Sequence, residues 1–159
     1  MPRLIVIRHG VTEWSKTGQH TGRTDLPLLD EGVHEAIEFG DRLVGYSDQA
    51  VLSLPEIGYI LRSPRTRCVQ TLECMLGTEE QRKMMGMPNV QVLDDCREWD
   101  YGQYEGQTTE CIRKSRPGWN VFEHGTPSHE TNPDLPGESP EQISERADRV
   151  VKLIREWHQ

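Results

Sequence analysis

The sequence lacks long hydrophobic runs. Among its 159 residues the longest uninterrupted apolar run is Leu4–Ile7, whereas a membrane-spanning helix needs about 20 apolar residues. The opening MPRLIVIRHG is too short and too charged to be a secretory signal peptide. We therefore predict that the protein has no membrane partner and that it is cytoplasmic.

Cysteine pairs suited to metal binding are also missing. The four cysteines are Cys68, Cys74, Cys96 and Cys111, and none of them forms a Cys-x-x-Cys pair. Structural zinc sites usually draw on such closely spaced pairs. Because no secretion signal precedes them, we expect these cysteines to be reduced thiols rather than zinc ligands or disulfides.

Basic residues are scarce. The chain has 18 Lys and Arg against 26 Asp and Glu, which gives a formal net charge of −8. A nucleic-acid backbone requires a basic protein face, so the composition argues against nucleic acid as a partner. An anion site in this protein would have to concentrate its few positive charges locally, against a repulsive overall field.

Three short apolar segments are candidate strands. Leu4–Ile7 is continuously apolar rather than alternating, which predicts a strand that is buried on both faces of a parallel sheet. The other candidates are Gly58–Ser63 and Val90–Leu93. Residues 9–28, between the first strand and the first helix, are predicted to form a polar loop.

Helical patterns separate and follow these strands. They cover Glu31–Leu43 with Asp30 as N-cap, Pro64–Leu76 with proline in the first turn, a short stretch near Thr108–Lys114, and a C-terminal helix that begins with the capping box Ser139–Gln142. This order predicts a single α/β domain over residues 1–159, with a mainly parallel sheet and a loop-rich insertion at about 107–138. Since no strand follows the last helix, the chain looks shortened at its C-terminus.

Charged side chains follow each predicted strand. Arg8 and His9 follow the first, Arg65 and Arg67 the second, and Glu98 lies shortly after the third. Ligands of open α/β sheets bind at the carboxyl ends of the strands. Arginine binds phosphate oxygens, neutral imidazole is a nucleophile, and a carboxylic acid can protonate a leaving alkoxide. Each residue alone could be structural or merely exposed, but together they predict phosphoryl transfer through a phosphohistidine.

Collinear stretches over most of the chain carry a family resemblance. They are LIVIRHG with TEW and HTGRTDLPL, SPRTRCVQT, REWDYGQYEG and PGESPEQ. Together they resemble the histidine phosphatase superfamily, and within it the fungal sedoheptulose-1,7-bisphosphatase group. The resemblance implies the phosphoglycerate mutase-like fold, a mainly parallel sheet flanked by helices, here without its last strand. It also implies a reaction that needs no metal and no cofactor.

The resemblance assigns roles to individual residues. His9 would be the nucleophile that becomes phosphorylated, Arg8 and Arg67 would bind the phosphoryl oxygens, and Glu98 would donate the proton. The further residues expected to contact substrate are Ser15, His20, Thr21, Gly22, Arg65 and Tyr101. For Tyr101 a purely packing role is an equal alternative.

The sequence departs from the family pattern at its end. The family carries a second essential histidine on a strand after the last helix, whereas this sequence ends at Gln159, and His158 is not a substitute. In the family the missing strand pairs beside the first one, so Leu4–Ile7 would be left as an unpaired apolar edge. We therefore expect this form to be poorly active and marginally stable.

The resemblance predicts a phosphatase acting on a sugar phosphate or bisphosphate, similar to sedoheptulose-1,7-bisphosphate. Two alternatives stay open: a catalytically inactive phosphate-binding or interaction module, and a mutase-type phosphotransferase. The expected partner is a phosphorylated small molecule, and homo-oligomerisation is left open.

Overall fold

A computed structural model describes residues 3–47 and 49–158. The helices are α1 (Glu13–Thr17), α2 (Asp30–Leu43), α3 (Thr66–Leu76), α4 (Glu79–Met84), α5 (Thr109–Ser115), α6 (Val121–His124) and α7 (Pro140–Trp157). The strands are β1 (Val44–Gly45), β2 (Leu52–Ser53), β3 (Ile60–Arg62) and β4 (Val90–Val92). No helix within the described ranges has both the length and the apolar character needed to cross a membrane.

The chain divides into two compact units. The sheet unit contains the described residues of 5–12 and 26–94, and the helical unit contains those of 1–4, 13–25 and 95–159. The single domain expected from the sequence stays a prediction.

Parallel strand pairs and two packed helices form the sheet unit. Strand β3 pairs with β4 in the register Ile60–Val90, and β1 pairs with β2, both in parallel. Helix α2 packs against α3, with Ala36 and Met75 buried. The predicted α/β class with parallel pairing is confirmed, although within residues 3–47 and 49–158 two separate strand pairs replace the predicted single sheet.

Most of the predicted helices are present with small shifts at their ends. The capping box of Ser139 and Gln142 at the start of α7 is confirmed. Asp30 is not the N-cap of α2, because Leu29 takes that position and Asp30 is the first helical residue. Pro64 lies outside α3, because the N-cap of this helix is Arg65. The backbone of Arg65 is extended, with a ψ of 140°. The loop predicted over residues 9–28 contains the short helix α1.

The predicted buried strand at Leu4–Ile7 is wrong. The structure assigns no strand there, and the four side chains are 61%, 40%, 83% and 41% exposed. A strand requires a neighbouring strand for its ladder hydrogen bonds, and nothing in the described part of the chain pairs with this segment. The apolar run indicates a propensity to form a strand, but it does not indicate whether another strand is present to pair with it. The expected apolar sheet edge is therefore not formed, and the segment is instead an exposed stretch without strand structure.

Two glycines allow the segment after Leu4–Ile7 to pack closely against the start of α2. A Cβ atom on Gly10 would lie 2.5 Å from the carbonyl oxygen of Gly32, and one on Gly32 would lie 2.3 Å from that of Val11. The Val11 carbonyl also accepts a hydrogen bond from Leu29 N–H at 2.9 Å. Only residues without side chains permit this approach, which fixes the backbone next to His9.

A buried ion pair organises the helical unit. Arg146 on α7 donates from Nε and Nη2 to the two carboxylate oxygens of Glu138, at 2.6 and 2.9 Å. The same guanidinium donates to the backbone carbonyls of Asp95, Arg97 and Glu98, at 2.9, 2.7 and 3.3 Å. Helix α7 therefore holds the backbone that carries Glu98.

The region predicted to be loop-rich, at about 107–138, is ordered around a tryptophan. Trp119 is 2% exposed, and its indole N–H donates to the carbonyl of Gly125 at 3.0 Å. The ring of Tyr104 meets it edge-on, with centroids 5.2 Å apart. The fully buried Ile112 on α5 adds to this small core, so the segment contains α5 and α6 as well as loop.

The unpaired state of Leu4–Ile7 predicts fast hydrogen exchange. Amides without a hydrogen-bond partner in an exposed segment exchange at rates close to those of an unfolded chain. In amide exchange followed by NMR, we expect Leu4, Ile5 and Val6 to exchange much faster than the amides in the middle of α2. Slow exchange at these residues would show that they are paired.

The Arg146–Glu138 pair predicts a large loss of stability when it is broken. Arg146→Met leaves a carboxylate that is only 4% exposed without its main partner, which costs about 3–5 kcal/mol. Arg149→Met is the matched control on the same helix, because Arg149 is 59% exposed and pairs with Asp95, a contact worth about 0–1 kcal/mol. Urea unfolding measures both free energies, and equal losses would contradict the prediction.

The same pair predicts a loss of stability in acid. Burial works to raise the pKa of Glu138, but hydrogen bonds from Arg146 and from Asp100 N–H, with the charges of Arg146 and Arg97, lower it below its ordinary 4.5. A lowered folded-state pKa stabilises the fold above the unfolded value, and this contribution disappears as the pH falls towards the folded value. Below about pH 4.5, the difference in free energy of unfolding between wild type and Arg146→Met should therefore shrink. A constant difference from pH 7 to pH 3 would contradict this.

Candidate active site

His9 has a defined orientation in the sheet unit. Its Nδ1 lies 2.8 Å from the carbonyl oxygen of Gly10. A carbonyl only accepts hydrogen bonds, so Nδ1 carries the proton, and in the neutral imidazole the lone pair is then on Nε2. The half-buried His9 ring is thereby held in the tautomer whose Nε2 carries no proton.

Helix α3 brings Arg67 and Thr71 to this loop. Arg67 lies in the first turn of α3 and is 1% exposed. One turn later, the hydroxyl of Thr71 donates to the carbonyl of Arg67 at 2.8 Å and accepts the N–H of Gly10 at 3.1 Å. A chain of hydrogen bonds therefore connects two of the predicted catalytic residues, His9 and Arg67.

Arg8 and Arg65, also in the sheet unit, have no carboxylate partner among the residues that the structure describes. Arg8 is exposed, and the half-buried Arg65 has its Nε shielded from solvent without a hydrogen-bond acceptor. An unpaired guanidinium retains its full capacity to bind an anion. These positions fit the predicted phosphate-binding role, which stays a prediction.

In the helical unit, His20 belongs to an aromatic cluster. Its ring stacks on Tyr101 with centroids 4.4 Å apart and meets Trp119 edge-on at 5.8 Å. Its Nε2 lies 3.1 Å from the hydroxyl of Thr109. Burial lowers the pKa of His20, and the carboxylates of Glu98 and Glu105 only partly offset this effect. His20 is therefore mostly neutral at pH 7.

The loop that carries His20, Thr21 and Gly22 is held by Glu105. The Oε1 atom of this carboxylate accepts the N–H groups of Gly22 and Thr24, both at 2.9 Å. A Cβ atom on Gly22 would lie 2.1 Å from the carbonyl oxygen of Trp99, so this loop position accepts only glycine. The backbone of the predicted substrate loop is thus fixed by neighbours within the helical unit.

Glu98 is exposed, and its own carboxylate accepts the N–H of Trp99 at 2.9 Å. Its backbone carbonyl is bound by Arg146. Ser15 on α1 and Thr21 are half-buried. Tyr101 is buried and stacks on His20, as expected if its role is packing. Its contact with substrate stays a prediction.

Sequence reasoning missed three residues that hold the predicted site residues in place. They are Thr71, Glu105 and Arg146. Thr71 and Glu105 lie inside the motifs SPRTRCVQT and REWDYGQYEG, and the spacing of Thr71 four residues after Arg67 is a usable signal, since threonine can bond to the carbonyl one helical turn back. Arg146 gave no local signal, because its partners lie outside α7.

The helical unit also contains a polar cavity of about 640 Å³. Its arginines are Arg23, Arg97, Arg146 and Arg149, and each forms an ion pair with Asp100, Glu138 or Asp95. Arg97 and Arg146 share Glu138, and Glu145 also lines the cavity. Because four carboxylates thus accompany the four arginines, the cavity offers little net attraction to a phosphate. It contains none of the predicted catalytic residues.

Comparison with known proteins identifies the family. The family model for the histidine phosphatase superfamily (branch 1) matches residues 4–159. Sedoheptulose 1,7-bisphosphatase of Saccharomyces cerevisiae is 39% identical over 99% of this chain and 57% of that protein. An acid phosphatase of Mycobacterium tuberculosis is 38% identical over 97% of this chain and 64% of that protein.

A solved structure agrees with the sequence matches. The product of an open reading frame of Mycobacterium tuberculosis superposes with a TM-score of 0.68 at 35% identity, covering 93% of this chain and 64% of the other. The chain therefore spans about 57–64% of the length of the relatives named here. The phosphoglycerate mutase-like α/β fold predicted from the sequence is confirmed, and the chain belongs to the histidine phosphatase superfamily, branch 1.

Proposed function

We propose that this chain hydrolyses phosphoric monoesters of small molecules through a phosphohistidine on His9. The observation that carries the proposal is the contact between His9 Nδ1 and the Gly10 carbonyl at 2.8 Å. It fixes the proton on Nδ1, so that in the neutral ring the lone pair is on Nε2, which is the protonation state that an attacking imidazole needs.

Arg67, Arg8 and Arg65 would bind the phosphoryl oxygens. Arg67 is nearly inaccessible and lies in the first turn of α3, where the helix dipole adds positive potential. Positive groups that are already in place stabilise the charge on the transferring oxygens without reorganisation. This support comes from burial and charge within the sheet unit.

The proposed reaction has two steps. Nε2 of His9 attacks phosphorus, the P–O ester bond breaks, and the leaving alkoxide takes a proton from the Glu98 carboxylic acid. A water molecule then attacks phosphorus and gives a proton back to the Glu98 carboxylate, the P–N bond breaks, and inorganic phosphate leaves. The exposed position of Glu98 is compatible with exchange of its proton with solvent.

The substrate class that we propose is a sugar phosphate or bisphosphate resembling sedoheptulose-1,7-bisphosphate. The support is the 39% identity with the yeast protein of that name over almost the whole of this chain. Ser15, His20, Thr21, Gly22 and Tyr101 would contact this substrate. The fixed backbone of the loop around Gly22 favours such a role, because a preformed site loses little entropy when it binds.

A second function is favoured by Leu4–Ile7. This segment leads directly into Arg8 and His9 but has no strand partner in the described part of the chain. His9 is held on its C-terminal side by Gly10 but follows this unpaired segment on its N-terminal side, and a nucleophile displaced by about 1 Å loses about 10²-fold in rate. The alternative is a phosphate-binding module that turns nothing over.

The test is to trap the intermediate. We expect incubation with sedoheptulose-1,7-bisphosphate, followed by mass spectrometry under neutral conditions, to show acid-labile phosphate on the His9 peptide. His9→Asn should abolish both the label and the release of phosphate. Glu98→Gln should slow phosphate release by about 10²–10⁴-fold, the usual range for a lost general acid.

The matched control is His34→Asn, which changes an exposed histidine on α2 and should leave label and turnover unchanged. Phosphate release that survives in His9→Asn would refute the proposal. Binding of inorganic phosphate by the wild type without any label would support the binding module instead, and an isomerised phosphate ester in place of free phosphate would indicate a mutase.

A further inference from the structure

Thr71 makes two hydrogen bonds that the proposed mechanism does not use. The side chain is 6% exposed, on the second turn of α3. Its hydroxyl proton is donated to the carbonyl of Arg67 at 2.8 Å. With the proton placed there, the oxygen accepts the N–H of Gly10 at 3.1 Å, across 61 positions of sequence.

The first bond alone would be unremarkable. Buried threonines in helices commonly bond to the carbonyl one turn back, and this satisfies the hydroxyl without any further partner. Ser144 does the same on α7, where its hydroxyl donates to the carbonyl of Pro140 at 2.8 Å and is exposed. What distinguishes Thr71 is the second bond, to the residue directly after the proposed nucleophile.

Gly10 depends on such external contacts. It has no side chain, so its own backbone preferences do not fix the direction of its carbonyl. Gly32 of α2 approaches it closely where a side chain would stand, and Thr71 binds its N–H. The Gly10 carbonyl, in turn, is the acceptor that sets the tautomer of His9. A change at Thr71 is therefore transmitted to His9 through one residue.

We propose that Thr71 is a positioning residue, which couples the phosphate-binding start of α3 to the nucleophile by fixing the Gly10 backbone and, through it, the Nδ1–H tautomer of His9. The inference rests on the proposed function for its catalytic consequence. Its structural half, the control of the tautomer of His9, stands independently of turnover.

The decisive variant is Thr71→Val, which keeps the shape and removes the hydroxyl. It leaves the Gly10 N–H without its acceptor. We expect the nitrogen-15 NMR shifts of His9 to change from a single Nδ1–H tautomer in the wild type to a mixture. In single-turnover labelling, the rate of His9 phosphorylation should fall about tenfold or more, since small misplacements of reacting groups are costly. The KM should change by less than about twofold, because the guanidinium of Arg67 remains in place.

Two further variants separate positioning from packing. Thr71→Ser retains the hydroxyl and should restore the tautomer and most of the rate. Ser144→Ala removes a helix back-bond that has no second acceptor role and should change neither. If Thr71→Ser is as slow as Thr71→Val, the methyl group and not the hydroxyl is responsible, and the inference is refuted.

The outcomes separate the inference from the proposed function. If wild-type His9 is never phosphorylated, the proposed function fails, and the tautomer measurement alone decides the role of Thr71. If wild-type His9 is phosphorylated and Thr71→Val matches it in rate and tautomer, the function stands and the inference is refuted. If Thr71→Val does not fold, hydrogen exchange of the Gly10 amide in the wild type is the deciding measurement. Slow exchange of this amide, together with an active Thr71→Ser, supports the inference. Fast exchange of this amide overturns it.

Discussion

The contact between His9 Nδ1 and the Gly10 carbonyl is the constraint on which the proposed chemistry depends. Imidazole has two nitrogens, and only the one that lacks a proton can attack phosphorus. A backbone carbonyl settles this choice because it cannot donate. Gly32 approaches Gly10 closely and Thr71 accepts its N–H, and both contacts restrict the conformation of a flexible glycine.

In the helical unit, an ion pair rather than close glycine packing fixes the backbone next to a predicted catalytic residue. Its segment at residues 95–102 has little regular structure of its own, so its backbone carbonyls need external donors. The guanidinium of Arg146 supplies them, and Glu138 neutralises its charge in the interior. A buried pair of this kind adds little net stability but defines one arrangement, since either partner left alone would be a buried charge.

The features that the sequence predicts well are those encoded locally. The capping box of Ser139 and the apolar stripes gave α7, α2 and α3, because cap and stripe act within a few residues. The strand predicted at Leu4–Ile7 was wrong because strand pairing is not a local property, and an apolar run does not reveal whether a neighbouring strand exists. Motif residues such as His9 and Arg67 could be predicted from their pattern, and their roles stay predictions. Thr71 and Glu105 act through backbone groups that only the fold brings near them.

Charge pairing explains which arginines are suited to bind an anion in a protein with a net charge of −8. The arginines that line the cavity of the helical unit are held by Asp95, Asp100 and Glu138, so their charge is used inside the protein. Arg8 and Arg65 form no such pair within the described residues. In the proposed function, an incoming phosphate is bound by arginines without a carboxylate partner, whereas the arginines of the cavity already have one. The proposed phosphate site therefore follows from the local pairing of arginines with carboxylates rather than from the number of arginines.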